Sequence, residues 1–268
     1  MIRAAVLGHP IEHSLSPMVH GVIYRELGVP FQYEKFDLIE GQARDFLSEN
    51  LPSWNGFSLT MPLKEVGFTL NLAVEDQAHR AHSINTITRE GCYNTDIPGL
   101  VRVIREEGHT WRDVVLIGAG ATARSALVAV ESLFPSSNVR VYRRDASRDG
   151  LLPELKDASV VVKSFGEWNE RLFSPSTLVI STLPSSAQST ISAALAGFEG
   201  MLIDFSYAPW PSTLAAVVKG RVISGLPILV SQAVEQAQIF SGVEFDRDAM
   251  YRSVLPSTVR LLARSEEA

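Results

Sequence analysis

A lysine and an aspartate carry the clearest chemical signal in the first hundred residues. In NGFSLTMPLK a strand pattern ends on Thr60, Pro62 breaks it, and Lys64 follows. In HSINTITREGCYNTDIPG, Asn85 precedes Asp96, which stands at the start of a helical pattern. Taken singly, an exposed lysine and a helix-capping aspartate explain these residues. Taken together, an ammonium and a carboxylate could handle the proton of a carbonyl reduction.

The segment VLGHPIEHSLSPMVH, residues 6–20, combines three histidines with Ser14 and Ser16. The histidines raise a metal site as one interpretation, and the serines beside a helix start raise an anion site as another. No partner cluster elsewhere in the sequence completes a zinc site, so we expect no metal. Ser16 is the predicted N-cap, Pro17 is predicted at the first helical position, and Gly28 lies past the predicted helix end. We predict an anion-binding turn at the two serines.

A tight glycine turn joins a strand to a helix in DVVLIGAGATARSALVAV. Gly118 and Gly120 take the first two glycine positions of the dinucleotide fingerprint, and Ala123 takes the third. Such a turn lets the backbone approach a pyrophosphate at the helix N-terminus, although glycine turns also occur for packing alone. The predicted pyrophosphate cradle consists of Gly118, Ala119, Gly120, Ala121, Thr122 and Ala123.

The next strand ends in VRVYRRDASR, which bears on the identity of the dinucleotide. An NAD site has an acidic residue at this point, about 20 residues after the turn, whereas basic side chains suit the 2′-phosphate of NADP. Arg143, Arg144 and Arg148 are the candidate phosphate ligands, although Arg148 also fits a solvated charge run. Asp145 could be aligned with the NAD acid, but it lies beyond the strand end. We therefore predict NADP, with Asp145 bearing on how strictly it is preferred.

Strand patterns alternate with helical patterns along the whole chain, which indicates an α/β fold. We predict an N-terminal α/β substrate domain over residues 1–100 and a Rossmann-type doubly wound dinucleotide-binding domain over residues 101–232. The C-terminal helices, residues 233–268, are expected to pack back on the first domain. The predicted strands are 3–8, 31–38, 56–59, 85–89, 114–118, 139–143, 160–164, 178–182, 201–205 and 221–224.

Composition narrows the class of protein. The chain has 268 residues, and its formal net charge of −6, without a basic stripe, argues against a nucleic-acid partner. Cys92 is the single cysteine, which excludes a disulfide framework and fits a reducing, cytoplasmic location. Apolar runs fall well short of the roughly 20 residues of a membrane span. We expect a soluble monomer or homodimer that acts on a small molecule, without a membrane partner.

Seven segments, in order and over nearly the whole chain, resemble the shikimate dehydrogenase family. They are GHPIEHSLSPMVH, SLTMPLK, NT at 85–86, NTD at 94–96, GAGATAR, DFSYAPWPST and GLPILVSQA. The resemblance implies an NADP-dependent oxidoreductase that reversibly reduces 3-dehydroshikimate to shikimate in aromatic amino-acid and chorismate biosynthesis. It also implies a substrate domain completed by the C-terminal helices.

The resemblance assigns roles residue by residue. Lys64 becomes the acid/base, either alone or as a dyad with Asp96. Phe205 and Gly225 would lie along the nicotinamide, and Asp76 is a weaker cofactor candidate. The implied substrate ligands are Ser14, Ser16 and Tyr207 for the carboxylate, and Thr60, Asn85 and Gln232, with Lys64 and Asp96, for the ring hydroxyls and the reacting oxygen.

The sequence departs from the family pattern at a few positions. Ser58 replaces a usual asparagine, and His82 stands where glycine is usual. One alternative is an NAD-preferring quinate/shikimate dehydrogenase, although Ser14 and Ser16 are both intact. A more distant alternative is a non-catalytic NADP-responsive regulator, which should have lost Lys64.

Overall fold

A computed structural model of the chain describes residues 1–168 and 173–266, apart from the side chains of Arg148, Ser265 and Glu266. Contacts between residues divide the chain into two compact units, each with its own sheet. Unit 1 comprises Met1–His79, Ser83–Gly99 and Leu229–Ala268, and unit 2 comprises Arg80–His82 and Leu100–Ile228. The domain roles of residues 1–100, 101–232 and 233–268 stay a prediction.

Unit 1 contains a mixed five-stranded sheet. Its strands are β1 (Ile2–Gly8), β2 (Phe31–Asp37), β3 (Gly56–Leu59), β4 (Thr86–Ile87) and β5 (Cys92–Tyr93). The order is β2-β1-β3-β4-β5, with β1 parallel to β2 and β3, and with β3-β4 and β4-β5 antiparallel. Aromatic and aliphatic residues such as Leu47, Trp54 and Phe57 form a buried core on this sheet.

The helices are α1 (Ser16–Glu26), α2 (Glu40–Asn50), α3 (Asp76–Ala81), α4 (Asp96–Glu106), α5 (Ala121–Leu133), α6 (Gly225–Ser241) and α7 (Arg247–Glu266). The C-terminal helices pack on the first unit, as predicted. Ser253 on α7 donates a hydrogen bond to Glu26 on α1 at 2.6 Å, and Arg247 pairs with Glu235 on α6 at 2.5 Å.

Unit 2 contains an all-parallel sheet. Its strands are β6 (Asp113–Ile117), β7 (Asn138–Arg143), β8 (Ser159–Ser164), β9 (Leu178–Ser181), β10 (Met201–Asp204) and β11 (Val222–Ile223). The order is β11-β10-β9-β6-β7-β8, so the chain reverses direction across the sheet between β6 and β9. This is the doubly wound arrangement, and the glycine turn follows β6 at the reversal point. The predicted fold class is confirmed.

Local differences from the sequence-based expectation have simple causes. α1 begins at Ser16 with Leu15 as its N-cap, so the prediction that Ser16 caps the helix was wrong by one residue. Gly28 does end the helix, with φ at +65°. The predicted strand 85–89 shortens to Thr86–Ile87 because Thr88 N–H already turns to the carbonyl of Gly91 at 2.9 Å. β5, α2 and α3 were not predicted, since each is short or weakly apolar.

No helix in residues 1–168 and 173–266 is long and apolar enough to cross a membrane.

Candidate active site

Two loops meet at one edge of the unit 1 sheet. β1 and β3 are parallel neighbours with Leu7 opposite Leu59, so their carboxyl ends lie side by side. The loops that follow are tied by a hydrogen bond from His9 N–H to the carbonyl of Met61 at 2.9 Å. A Cβ on Gly8 would lie 2.3 Å from the Thr60 methyl carbon, so glycine lets the loops approach this closely. The edge therefore carries Thr60 beside the turn that leads to Ser14 and Ser16.

Ser14 and Ser16 form the turn at the start of α1. The backbone N–H of Ser16 lies 3.4 Å from Ser14 Oγ, with Ser16 6% exposed and Ser14 half-buried. Hydroxyls beside the free N–H groups of a helix start suit an anion. The structure keeps the two serines together and leaves their role as substrate ligands a prediction.

Lys64 and Asp96 form an ion pair at this end of unit 1. Lys64 Nζ lies 2.5 Å from Asp96 Oδ2, and the two side chains are only 12% and 10% exposed. The backbone positions both groups, because Ile84 N–H donates to the Lys64 carbonyl at 2.7 Å and Asp96 is the first residue of α4. The backbone thus holds the pair in place, with a small part of each side chain exposed.

Asn85 donates a hydrogen bond to the other oxygen of the Asp96 carboxylate. The Asn85 Nδ2 group donates to Asp96 Oδ1 at 2.9 Å and to Thr95 Oγ1 at 2.9 Å. Asn85 Oδ1 accepts the backbone N–H of Thr95 and the hydroxyl of Thr86, each at 2.8 Å. At 2% exposure, this carboxamide has both of its ends committed to partners.

Gln232 on α6 joins the same network. Its Oε1 lies 3.4 Å from both Asn85 Nδ2 and Thr95 Oγ1, while its Nε2 donates to the carbonyl of Leu229 at 2.9 Å. The structure therefore brings together four residues that the sequence analysis singled out: Lys64, Asn85, Asp96 and Gln232.

A buried polar cluster, which we call the Gln236 cluster, lies behind this network and was missed by the sequence analysis. It consists of His20, Tyr33, Ser58, Thr86 and Gln236. The Gln236 oxygen accepts from Ser58 Oγ at 2.7 Å and from His20 Nε2 at 3.1 Å, and Tyr33 lies 2.6 Å from Ser58 Oγ. The sequence signal was the spacing of Gln236 and Gln232, which are one helical turn apart.

His20 is fully buried and stacks on Tyr33 with ring centroids 4.1 Å apart. Burial lowers its pKa to about 3, against a smaller raising effect from the hydrogen bond to Gln236. His20 therefore contacts residues far away in the sequence, namely Gln236 through a hydrogen bond and Tyr33 through ring stacking. In residues 1–168 and 173–266, no three histidine, cysteine or acidic side chains come together as a candidate metal site.

The glycine turn of unit 2 is tightly packed at Gly118 and open at Gly120. Gly118 has φ at +120°, and a Cβ there would lie 2.2 Å from Thr182 Oγ1, so glycine is required. A Cβ on Gly120, in contrast, would meet no atom within 4 Å. α5 begins directly afterwards at Ala121, and the first N–H groups of a helix lack intrahelical partners. Residues 118–123 thus fit the predicted cradle.

The predicted phosphate-binding arginines differ in their surroundings. Arg143 makes a bidentate ion pair with Asp149 at 2.8 and 2.7 Å, which raises the pKa of Arg143 and lowers that of Asp149. Arg144 is exposed. Asp145 accepts the backbone N–H of Ser147 at 2.9 Å and so caps the turn. Arg148 lies in that turn, but its side chain is outside the described part of the chain.

The loop after β10 carries Phe205 and Tyr207, both half-buried. Gly225 donates its N–H to the carbonyl of Ser206 at 2.9 Å, and a Cβ there would lie 2.0 Å from the Phe205 carbonyl oxygen. Glycine at this position therefore lets α6 start directly against the loop. The buried Asp204 anchors the same loop by accepting the N–H of Ser206 at 3.1 Å, and burial raises its pKa.

Three further residues lie on α3, directly after α3 and on α5. Asp76 is exposed at the first turn of α3, and His82 is half-buried with φ at +44°. The His82 carbonyl accepts from the fully buried Arg124 at 2.7 Å. Arg124, the last residue of GAGATAR, was not assigned a role from the sequence.

Comparisons with known proteins agree with the resemblance seen in the sequence. Residues 6–87 match the family model for the shikimate dehydrogenase substrate binding domain. A curated relative from Xylella fastidiosa strain 9a5c, named shikimate dehydrogenase (NADP(+)), is 32% identical over 93% of this chain and 94% of its own. The crystal structure of Mycobacterium tuberculosis shikimate dehydrogenase matches with a TM-score of 0.83 at 30% identity, covering 96% of this chain and all of the other.

A solved complex is also similar. The crystal structure of shikimate 5-dehydrogenase from Thermus thermophilus in complex with NADP(H) and shikimate matches with a TM-score of 0.78 at 26% identity. The match covers 96% of this chain and all of the other.

We predict that His20 makes the protein sensitive to mild acid. Between pH 6.5 and about 3 the unfolded chain protonates His20 while the folded protein keeps it neutral. The unfolded state then binds the extra proton, so stability falls as pH falls. Between pH 7 and pH 5 the wild type should lose about 2 kcal/mol more unfolding free energy than His20→Phe, as measured by urea denaturation. Equal losses in the two proteins would contradict this assignment.

Proposed function

The chain belongs to the shikimate dehydrogenase family, and we propose that it catalyses the reversible, NADP-dependent reduction of 3-dehydroshikimate to shikimate. The observation that carries the proposal is the Lys64–Asp96 pair, 2.5 Å apart, with Asn85 on the second carboxylate oxygen. The Thermus thermophilus relative, whose structure is a complex with NADP(H) and shikimate, supports the choice of ligands.

Lys64 handles the proton in this proposal. Hydride addition leaves negative charge on the substrate oxygen, and the Lys64 ammonium donates a proton to it. The amine that remains lies beside the Asp96 carboxylate, and water reaches the 12% exposed side chain to restore the proton. In the oxidation direction the same nitrogen accepts the alcohol proton. Asp96 holds Lys64 through Oδ2 and is itself held by Asn85 through Oδ1.

The polar residues around the pair bind the substrate. Ser14 and Ser16 supply hydroxyl donors at the start of α1, which suits the substrate carboxylate, and the family resemblance adds Tyr207. Thr60, Asn85 and Gln232 are assigned to the ring hydroxyls. The carboxamides of Asn85 and Gln232 can each donate and accept, as hydroxyl recognition requires.

Unit 2 holds the cofactor. When bound, NADPH supplies the hydride. Residues 118–123 would hold its pyrophosphate, because Gly120 leaves open space and α5 presents N–H groups there. Arg144 and Arg148 are assigned to the 2′-phosphate. Arg143 is assigned to it as well, and its guanidinium would then contact both the phosphate and Asp149. Phe205 and Gly225 are assigned to the nicotinamide. Asp76, which belongs to unit 1, is a weaker cofactor candidate.

We propose a cytoplasmic location and a monomer or homodimer. The single cysteine, Cys92, is buried and forms no disulfide, which fits a reducing compartment.

The function is tested by a steady-state comparison of four substrate and cofactor pairs. The purified protein should oxidise shikimate with NADP at a kcat/KM far above that for quinate with NADP, or for either substrate with NAD. Comparable kcat/KM for quinate with NAD would favour the quinate/shikimate alternative. Binding of NADP without turnover would favour the non-catalytic regulator.

Removing the Lys64 ammonium should lower kcat while leaving substrate affinity little changed, because the proton is transferred only in the transition state. We expect Lys64→Ala to lower kcat by at least about 100-fold. The matched control is Lys35→Ala, since the Lys35 ammonium binds the backbone carbonyl of Glu12 at the surface. Wild-type kcat in Lys64→Ala would exclude Lys64 as the acid/base.

Arg144 should set the preference for NADP. A charged hydrogen bond to the 2′-phosphate contributes about 1.5–3 kcal/mol, so Arg144→Ala should raise the KM for NADP at least about tenfold. The KM for NAD, which lacks this phosphate, should not change. Arg112→Ala is the control. Arg112 is exposed and directly precedes the amino end of β6, whereas Arg144 follows the carboxyl end of the parallel strand β7. An equal rise in the KM for NADP and the KM for NAD would show that Arg144 does not bind the 2′-phosphate.

A further inference from the structure

Gln236 has no assigned role, yet its carboxamide contacts three other members of the Gln236 cluster and the backbone carbonyl of Asn85. Its Nε2 donates to the carbonyl of Asn85 and to Thr86 Oγ1, both at 3.0 Å. Its Oε1 accepts from Ser58 at 2.7 Å and from His20 at 3.1 Å. At 1% exposure, all four contacts are made away from water.

The orientation of this carboxamide is set by its partners. The Asn85 carbonyl can only accept, so the Gln236 NH2 group must face it. The Gln236 oxygen must then face Ser58 and His20, which assigns the His20 proton to Nε2. Tyr33 completes the arrangement, because its hydroxyl lies 2.6 Å from Ser58 Oγ and leaves the Ser58 proton for Gln236.

Thr86 links the carboxamide of Gln236 to the carboxamide of Asn85. Because Thr86 Oγ1 accepts from Gln236, its single proton is directed to Asn85 Oδ1 at 2.8 Å. That oxygen also accepts the N–H of Thr95, so the Asn85 Nδ2 group is turned to Asp96. The chain of hydrogen bonds runs from Gln236 through Thr86 and Asn85 to the carboxylate that holds Lys64.

Gln236 also fixes the register of α6. Gln232 lies one turn earlier on the same helix, and its Oε1 is 3.4 Å from Asn85 Nδ2. Anchoring Gln236 to the Asn85 carbonyl therefore sets the distance between Gln232 and Asn85.

We infer that Gln236 is a positioning residue, which acts through Thr86 and α6 to orient Asn85 and Gln232 for the Lys64–Asp96 chemistry. This inference rests on the proposed function, but the hydrogen bonds themselves do not. Ser58, which departs from the family pattern, belongs to the same cluster and supplies one of the two donors to Gln236.

The first test replaces Gln236 with methionine, which keeps the length of the side chain and removes both hydrogen-bonding ends. Gln236→Met should lower kcat/KM for shikimate at least about tenfold while the KM for NADP stays unchanged. Gln238→Met is the matched control on the same helix, because Gln238 donates to Glu244 at the surface. Wild-type kcat/KM in Gln236→Met would overturn the inference.

The second test separates hydrogen bonding from packing at Thr86, which is fully buried. Valine keeps the volume of threonine and loses the hydroxyl, whereas serine keeps the hydroxyl and loses a methyl group. A positioning role predicts that Thr86→Ser retains at least about ten times the kcat/KM of Thr86→Val. The loss in Gln236→Met with Thr86→Val should also be smaller than the product of the single losses. If Thr86→Val kept more kcat/KM than Thr86→Ser, or if the loss in the double variant equalled the product of the single losses, the cluster would contribute through packing alone and the inference would be wrong.

The third test does not depend on activity. Hydrogen exchange of the Asn85 carboxamide protons, followed by NMR, should be slow in the wild type and in Gln238→Met. It should be at least about tenfold faster in Gln236→Met. Unchanged exchange would overturn the inference whatever the activity shows. A wild type that does not turn over shikimate would instead contradict the proposed function and leave the exchange result to decide the role of Gln236.

Discussion

The carboxamide of Asn85 is the group on which the arrangement of unit 1 depends, because its two ends are not interchangeable. One end must accept a backbone N–H from Thr95, and the other then meets the carboxylate of Asp96. A reversed carboxamide would set donor against donor in a site that is 2% exposed, at a cost of about 1–3 kcal/mol per unsatisfied group. Asn85 directly precedes β4, the middle strand of the antiparallel β3-β4-β5 arrangement. Its neighbour Thr86 lies opposite Ser58 on one side and Tyr93 on the other.

Features that depend on neighbouring residues could be predicted from the sequence. Strand patterns, the glycine turn and the start of α1 all reflect local periodicity and backbone geometry, and each lies within a residue or two of its predicted position. The physical reason is that local sequence determines which groups are polar at strand ends. The family resemblance also implied that Lys64 and Asp96 belong to one site, with a dyad left open, and the structure places the two side chains 2.5 Å apart.

Features that join distant segments could not be predicted in the same way. His20 and Gln236 are 216 positions apart, and no periodicity in either helix indicates that a histidine will face a carboxamide. The Arg143–Asp149 pair is close in sequence, but it depends on the path of the irregular loop after β7. In both cases several polar partners are available in the sequence. Tertiary packing, rather than the residue pattern, determines which of them forms the hydrogen bond or ion pair.

The discontinuity of unit 1 has a consequence for how the chain is made. Residues Leu229–Ala268 belong to the same compact unit as Met1–His79, so unit 1 cannot be completed until the segment that follows unit 2 has been synthesised. Unit 2, apart from Arg80–His82, is contiguous in Leu100–Ile228 and can be synthesised whole before that. Unit 2 can therefore complete its contacts during synthesis before unit 1 does, the reverse of the usual N-terminal-first order. Until α6 is synthesised, His20 and Ser58 lack the carboxamide that joins them, so the buried hydrogen-bond network of unit 1 is incomplete.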